Sequence, residues 1–258
     1  MKELMGIALL AAKAAGDAIL KHYDNYDLTF KNDRSPLTSA DLVANDAIFS
    51  YLEKTGIDIC SEERILEYEK RDKSSKFWLI DPLDGTKEFI SKNGEFCVCI
   101  ALIEFGRPVL GVIYIPFSNE MFYSSGNSKV YKNGFLIGES LIQSNSLISG
   151  SHSYSQNTQA FADRFKFDIV KCGSAMKFCR LVEGKASIYP RFCNSSIWDI
   201  AAGDFLLSQS GGKVVSLKNH KELRYDNENL KNDYFLAVNK NLVPNLNSYL
   251  KFIQNIPS

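Results

Sequence analysis

Trp78-Leu79-Ile80-Asp81-Pro82-Leu83-Asp84-Gly85-Thr86 sets two carboxylates three residues apart where an apolar run meets a glycine turn. The residues 77–80 read as a buried strand that Asp81 ends. Pro82 removes a backbone donor, and Gly85 permits the left-handed or close-approach geometry that a tight loop needs. Upstream, Ser61-Glu62-Glu63 adds two more carboxylates, and downstream Trp198-Asp199-Ile200-Ala201-Ala202-Gly203-Asp204 puts another at the start of an apolar helix. Such an oxygen-rich set suits Mg²⁺, which takes carboxylates, carbonyls and water in preference to thiols or imidazoles. Two such cations about 3.5–4 Å apart can bridge a phosphate, make a water nucleophilic at neutral pH and neutralise a departing alkoxide. The expected reaction class is phosphate-ester hydrolysis.

Each acid also has an ordinary structural use. Asp41 follows Thr38 at the spacing of a capping box, so it can cap a helix expected over 39–54. Asp199 sits in a first helical turn, where the dipole favours a carboxylate. Asp204 lies five residues further on, about 500° of rotation away, and is left out of the site.

The chain has 258 residues, enough for one large or two modest domains around a substantial core. Its 30 basic and 30 acidic residues balance. That balance argues against a polymeric nucleic-acid partner, which calls for a basic surface, and leaves a small phosphorylated molecule as the expected partner. No stretch approaches the ~20 apolar residues that span a bilayer. The apolar run at 4–12 mimics an export signal, but Glu3 and the helical pattern through Ala15, Ala18 and Ile19 read better as an amphipathic first helix. Six cysteines form no zinc-like pairs. Cys97 and Cys99 alternate on a strand and read as small core residues of a reduced protein without disulfides.

Helices are expected over 2–23, 39–54, 155–165, 174–183 and 196–210, the last stopped by Gly211-Gly212. Strands are expected into Cys60 and over 96–104, 109–115, 120–124, 129–132, 146–149 and 186–189, with turns at Gly106-Arg107-Pro108 and Asn133-Gly134. No repeat or linker stands out. Periodicity alone gives mixed α and β: an α+β half over 1–140 that holds most of the acids, and a more regular α/β half over 141–258 that holds Asp199. The polar segment 25–37 suits either a flap that closes over the site or an ordinary surface loop.

Four signatures in this order, Thr38-Ser39-Ala40-Asp41, Ser61-Glu62-Glu63, Asp81 to Thr86 and Trp198 to Gly203, resemble the inositol monophosphatase superfamily of Mg²⁺-dependent, lithium-sensitive phosphatases. Within it the chain is most similar to the CysQ-type 3'(2'),5'-bisphosphate nucleotidases. The residues that carry this are Lys87-Glu88-Phe89-Ile90, Asn93-Gly94-Glu95-Phe96, Gly173-Ser174-Ala175-Met176-Lys177-Phe178-Cys179 and Tyr189-Pro190-Arg191-Phe192. Relatives often carry Arg-Ser-His where this chain reads Gly150-Ser151-His152.

The resemblance implies a layered αβαβα sandwich of the inositol monophosphatase and fructose-1,6-bisphosphatase type. It implies that Glu62, Asp81 and the Leu83 carbonyl hold one Mg²⁺, that Asp81, Asp84 and Asp199 hold a second, and that a third, weaker ion sits near Glu62. Asp41 and Thr86 would orient and deprotonate the attacking water, with Gly85 and Thr86 offering backbone donors to the scissile phosphate. The second phosphate of a bisphosphate needs cations of its own, and Lys177 and Arg191, with Ser174 and His152, occupy the matching positions. The implied reaction converts adenosine 3',5'-bisphosphate to AMP and phosphate, clearing a by-product of sulfotransfer or sulfate reduction. The implied setting is the cytoplasm, with a peripheral place on the inner membrane face as the alternative, and the oligomeric state stays open between monomer and homodimer.

Two other readings remain. One is an inositol monophosphatase or broad sugar phosphatase of the same superfamily. The other is a non-catalytic regulatory or binding protein on this fold, against which all the filled ligand positions argue. A haloacid-dehalogenase phosphatase needs Asp-x-Asp, whereas the spacing here is Asp-x-x-Asp, and neither a P-loop nor a GxSxG elbow occurs.

Overall fold

The computed structural model describes residues 1–31, 34–73, 76–138 and 144–256. Ala8, Ala11, Ala12, Ala15 and Gly16, with Met5 and Ile19, form the buried face of α1 (Lys2–Lys21), the spacing of a helix that packs along one side. Small residues here bring the helix close to its neighbours: a Cβ on Gly16 would lie 2.3 Å from the ring of Tyr114. A hairpin of β1 (Leu28–Phe30) and β2 (Pro36–Thr38) leads into α2 (Ser39–Leu52), which packs on α1.

There follow β3 (Ile59–Ser61), α3 (Tyr68–Lys73), β4 (Lys76–Asp84), α4 (Thr86–Ile90), β5 (Cys97–Glu104), β6 (Arg107–Ile115), β7 (Glu120–Ser124), β8 (Tyr131–Lys132) and β9 (Phe135–Leu136). Strands β3 to β9 make a seven-stranded sheet in chain order, antiparallel except where β3 meets β4. The rest of the chain forms β10 (Ser146–Ser149), α5 (Gln156–Phe165), β11 (Asp168–Lys171), α6 (Met176–Val182), β12 (Ile188–Arg191), α7 (Ile197–Gln209), β13 (Lys213–Ser216), β14 (Phe235–Val238) and α8 (Leu246–Gln254). Its five strands take the order β11-β10-β12-β14-β13, with β10 parallel to both neighbours.

Strand alternation explains how the layers stack. In the larger sheet Trp78, Ile80, Val98, Ile100, Leu102 and Val112 face α1 and α2, while Phe77, Leu79, Cys97, Cys99, Ala101 and Ile113 face α6 and α7. Buried on both faces, these strands read as apolar runs. The smaller sheet covers the other side of α6 and α7 with Tyr189, Val214, Phe235 and Ala237, and turns Leu147, Ile188, Val215 and Leu236 toward α5 and α8. The order is therefore helices, sheet, helices, sheet, helices: the expected αβαβα sandwich. No helix among the described residues is long and apolar enough to cross a membrane.

Several boundaries differ from the sequence reading. Strand β4 does not end at Asp81; it runs to Asp84 through a bulge between the pairs Asp81–Cys99 and Asp84–Cys97. A bulge tolerates Pro82 because no ladder bond is asked of it. Arg107 and Pro108 belong to β6, and the turn is Phe105-Gly106, both at positive φ. The strand expected over 129–132 is two residues, and the one over 186–189 sits at Ile188–Arg191. Ser174 has φ 46°, so its helix begins only at Met176. Segment 25–37 contains the β1–β2 hairpin, with residues 32 and 33 at its tip outside the described residues. The expected boundary between halves, at 140 and 141, also lies outside them.

Candidate metal centre

Two helix starts aim two of the acids. At the start of α2 the Thr38 amide and hydroxyl donate to Asp41 Oδ2 at 2.7 and 2.6 Å, which leaves Oδ1 to accept from the Thr86 hydroxyl at 3.1 Å. At the start of α7 the Ser196 amide donates to Asp199 Oδ2 at 3.0 Å. Both are capping boxes, so the structural use and the outward oxygen coexist in each residue. The bulge in β4 aims two more: Asp81 Oδ1 accepts from the Leu83 amide at 3.1 Å, and Asp84 Oδ2 from the Ala175 amide at 2.5 Å. Gly85 turns the chain at φ 94°, into α4, and the Thr86 hydroxyl also reaches the Leu83 carbonyl at 3.3 Å. Glu62 leaves β3 with its amide on the Ile80 carbonyl at 3.2 Å.

These directions converge. Carboxylate oxygens of Glu62, Asp81 and Asp199 all lie within 4.8 Å of one another. Among the described residues no lysine or arginine comes within ion-pair distance of Asp81, Asp84 or Asp199. Burial first, then Glu62, Asp84 and Asp199, hold the Asp81 carboxyl well above the usual range. Burial pushes Asp84 up to about 6, against the pull of Lys177 and the Ala175 amide. Asp199 is pushed up to about 8 by burial, Asp84 and Glu62. Burial also raises Asp41, opposed by its bonds to Thr38 and Thr86. Acids this close and this dry cost folding energy unless positive charge joins them. An all-oxygen set of hard donors fits a divalent cation such as Mg²⁺.

A cleft of about 160 Å³ opens beside these acids. Asp84, Gly85 and Asp199 line it, and so do His152, Ser174, Lys177 and Arg191. Asp41, Glu62, Asp81, Leu83 and Thr86 are not in its lining and adjoin it through Asp199, Asp84 and Gly85. Lys177 is 5 % exposed, so it is not a solvated lysine. Its ammonium donates to the carbonyls of Ser174 at 2.5 Å and Cys172 at 3.3 Å. Arg191 donates to the Tyr189 hydroxyl at 3.1 Å and to the Cys193 and Asn194 carbonyls at 3.3 and 2.9 Å. Neutral acceptors hold both cations in place without cancelling their charge. Asp204 lies apart, as expected, paired with Arg107 at 2.8 Å and Tyr225 at 2.7 Å.

Sequence reasoning missed Lys31. Its ammonium donates to Glu62 and Glu63 at 2.7 Å each, bringing the hairpin against the acids. Burial works against that ammonium, but the two glutamates hold its pKa above the ordinary value. Only the fold brings residues 31 and 62 together, and no local pattern around Lys31 signals it.

The model of the inositol monophosphatase family matches residues 1–254. The chain is 41 % identical over 214 residues to the 3'(2'),5'-bisphosphate nucleotidase CysQ of Shigella flexneri, covering 79 % of this chain and 86 % of that one. It is 39 % identical to the enzyme of that name from Escherichia coli K12, with the same coverage. Among solved structures, CysQ of Bacteroides thetaiotaomicron superposes with a TM-score of 0.82 at 32 % identity, over 92 % of this chain and 97 % of that one. An inositol monophosphatase of Thermotoga maritima gives 0.79 at 27 % identity, over 98 % of each.

Proposed function

The chain belongs to the inositol monophosphatase family, and from that premise we propose that it is a Mg²⁺-dependent 3'(2'),5'-bisphosphate nucleotidase that converts adenosine 3',5'-bisphosphate to AMP and phosphate. The observation that carries the substrate reading is a cleft lined both by acids that no described lysine or arginine pairs with, Asp84 and Asp199, and by two cations, the buried Lys177 and the partly exposed Arg191. One phosphate is cleaved among the acids, and the other is held by the cations. Relatives named as nucleotidases support the same reading.

Glu62, Asp81 and the Leu83 carbonyl would hold one Mg²⁺, and Asp81, Asp84 and Asp199 would hold a second, with a third, weaker ion on the Glu62 side. Bound there, the ions supply charge to the phosphate and lower the pKa of the attacking water. The protein's own part is orientation and proton transfer. The Thr86 hydroxyl, fixed on Asp41 Oδ1, accepts the water's hydrogen bond, and Asp41, made more basic by burial, takes the proton through it. Gly85 and Thr86 turn backbone amides at the start of α4 toward the scissile phosphate. The phosphorus–oxygen bond to the 3' carbon breaks in line, and the departing oxygen leaves as a hydroxyl after taking a proton from solvent. Lys177, Arg191, Ser174 and His152 bind the 5'-phosphate, so they set which substrate is held and not how fast water attacks.

The test is phosphate release with Mg²⁺ from adenosine 3',5'-bisphosphate, inositol 1-phosphate and fructose 1,6-bisphosphate side by side. A preference for the nucleotide of about 100-fold in kcat/KM, some 2.7 kcal/mol of transition-state discrimination, is expected. A preference for inositol 1-phosphate overturns the nucleotide reading and leaves the phosphatase centre standing.

A further inference from the structure

Cys97 and Cys99 take no part in that chemistry, yet they lie against it. Alternation along β5 turns both to the α6–α7 side, and the sheet register sets Asp84 opposite Cys97. Their sulfurs are 3.8 Å apart, and Cys97 Sγ is 3.9 Å from Asp84 Oδ2. Both sulfurs and a carboxylate oxygen of Asp84 fall within 4.8 Å of one another. Sulfurs bound tetrahedrally to one zinc at about 2.3 Å stand about 3.8 Å apart, and a bound sulfur and carboxylate oxygen about 3.5 Å apart. The sulfur pair already has that separation, Asp84 Oδ2 is within a few tenths of an ångström of the sulfur–oxygen value at Cys97, and Asp84 and Cys99 lie within 4.8 Å. Ser174 Oγ, 3.5 Å from Cys97 Sγ, adds an oxygen beside the set.

We propose that Asp84, Cys97 and Cys99 form a second cation site, for thiophilic divalent ions such as Zn²⁺ or Cd²⁺, which shares Asp84 with the Mg²⁺ centre. Soft sulfur donors select such ions over Mg²⁺. Each thiol loses its proton to solvent as its sulfur–metal bond forms, so two protons leave per ion bound. Entry is from the cleft, because Asp84 lines it while both cysteines are fully buried. Occupation takes Asp84 away from the hard-cation centre, so thiophilic ions inhibit phosphate release and Mg²⁺ opposes them. This last consequence rests on the place given to Asp84 in the proposed function; the sulfur ligation does not.

The experiment is X-ray absorption on the whole protein loaded with one equivalent of Cd²⁺, with binding followed by calorimetry. Two sulfurs in the first shell are expected, and a shell of oxygen and nitrogen alone overturns the site. Cys97→Ser and Cys99→Ser are each expected to weaken Cd²⁺ binding at least ~10-fold, because each removes one of two soft ligands. Cys193→Ser, a partly exposed thiol elsewhere, is expected to change neither affinity nor sulfur count; loss of the sulfurs in that variant overturns the proposal. Added Mg²⁺ is expected to weaken Cd²⁺ binding, and an affinity indifferent to Mg²⁺ overturns the sharing of Asp84. The sulfur count is read on the unaltered protein, so it holds even where a variant fails to fold, and it stands or falls separately from the substrate preference.

Discussion

Asp199 and Asp204 lie five residues apart on one helix, α7, and differ in almost everything that matters to function. Asp204 is 1 % exposed but has a partner for its charge: the Arg107 guanidinium at 2.8 Å and the Tyr225 hydroxyl at 2.7 Å. Asp199 has two other acids, Glu62 and Asp81, against it instead. A buried acid with its counter-charge in the same chain is part of the architecture. One set among other acids, with Arg191 near but outside ion-pair distance, keeps an oxygen set suited to a cation from outside.

The largest effect should come from removing an acid of the second kind. Asp84→Asn is expected to lower kcat/KM by about 10³-fold or more, near 4 kcal/mol, while the metal-free protein melts no lower than the unaltered one because a repulsion has gone. Steady-state kinetics and a thermal melt with chelator check both halves, and a melt well below that of the unaltered protein would break the comparison. Asp204→Ala inverts the pattern. It strands Arg107, which keeps part of its surface in water, so a loss of about 3 kcal/mol in unfolding free energy is expected by denaturant titration, with kcat/KM held within about threefold.

Thr86→Val tests the proton path at Asp41. A loss of about 10²-fold in kcat with KM little changed is expected, because the hydroxyl orients the water and does not hold the substrate.

The smallest effect is a slope with pH. Folding raises Asp84 to about 6 and Asp199 to about 8, so the native state binds more protons than the unfolded chain. Their contribution to stability is therefore complete below about pH 4, the unfolded value, and is lost as pH rises through 6 and toward 8. Without divalent ions the melting temperature should fall by a few degrees over that range, and saturating Mg²⁺ should flatten the slope by binding only the ionised acids. A metal-free melt that rises over the same range would contradict the account of Asp199.

How much of this was legible in the sequence follows the same division. The acids stand out because each is tied to a local pattern: Asp41 to a capping box, Asp199 to a first helical turn, Asp81 and Asp84 to a strand, proline and glycine. Asp204 was set aside by helical spacing alone, and its pairing with Arg107 agrees. What could not be read depends on contacts between distant segments. Lys31 meets Glu62 across 31 residues, and the bulge after Asp81 exists because β5 pairs on both sides of it. Lys177 is named by the resemblance alone, since nothing near it in sequence says that Tyr189 and the Cys172 carbonyl close over its side chain. Helices α3, α4 and α8 and strands β1, β2, β9, β11, β13 and β14 escaped notice. Most are too short for a period to show, whereas α8 is amphipathic over 246–254 and was simply not read.

The capping boxes at the starts of α2 and α7 carry a consequence for how the centre comes into being. Each helix begins by drawing its aspartate back onto its own first amide, through Oδ2. The rotational freedom of both carboxylates is then spent during folding, before any ion arrives, and the remaining oxygens are held toward a fixed point. Assembly of the centre and nucleation of the two helices become one event. Fraying of the first turn of α7 would show as lost amide protection at Ser196, with affinity for divalent ions falling with it, whereas fraying of α2 would show at Thr38 and loosen the Asp41–Thr86 pair.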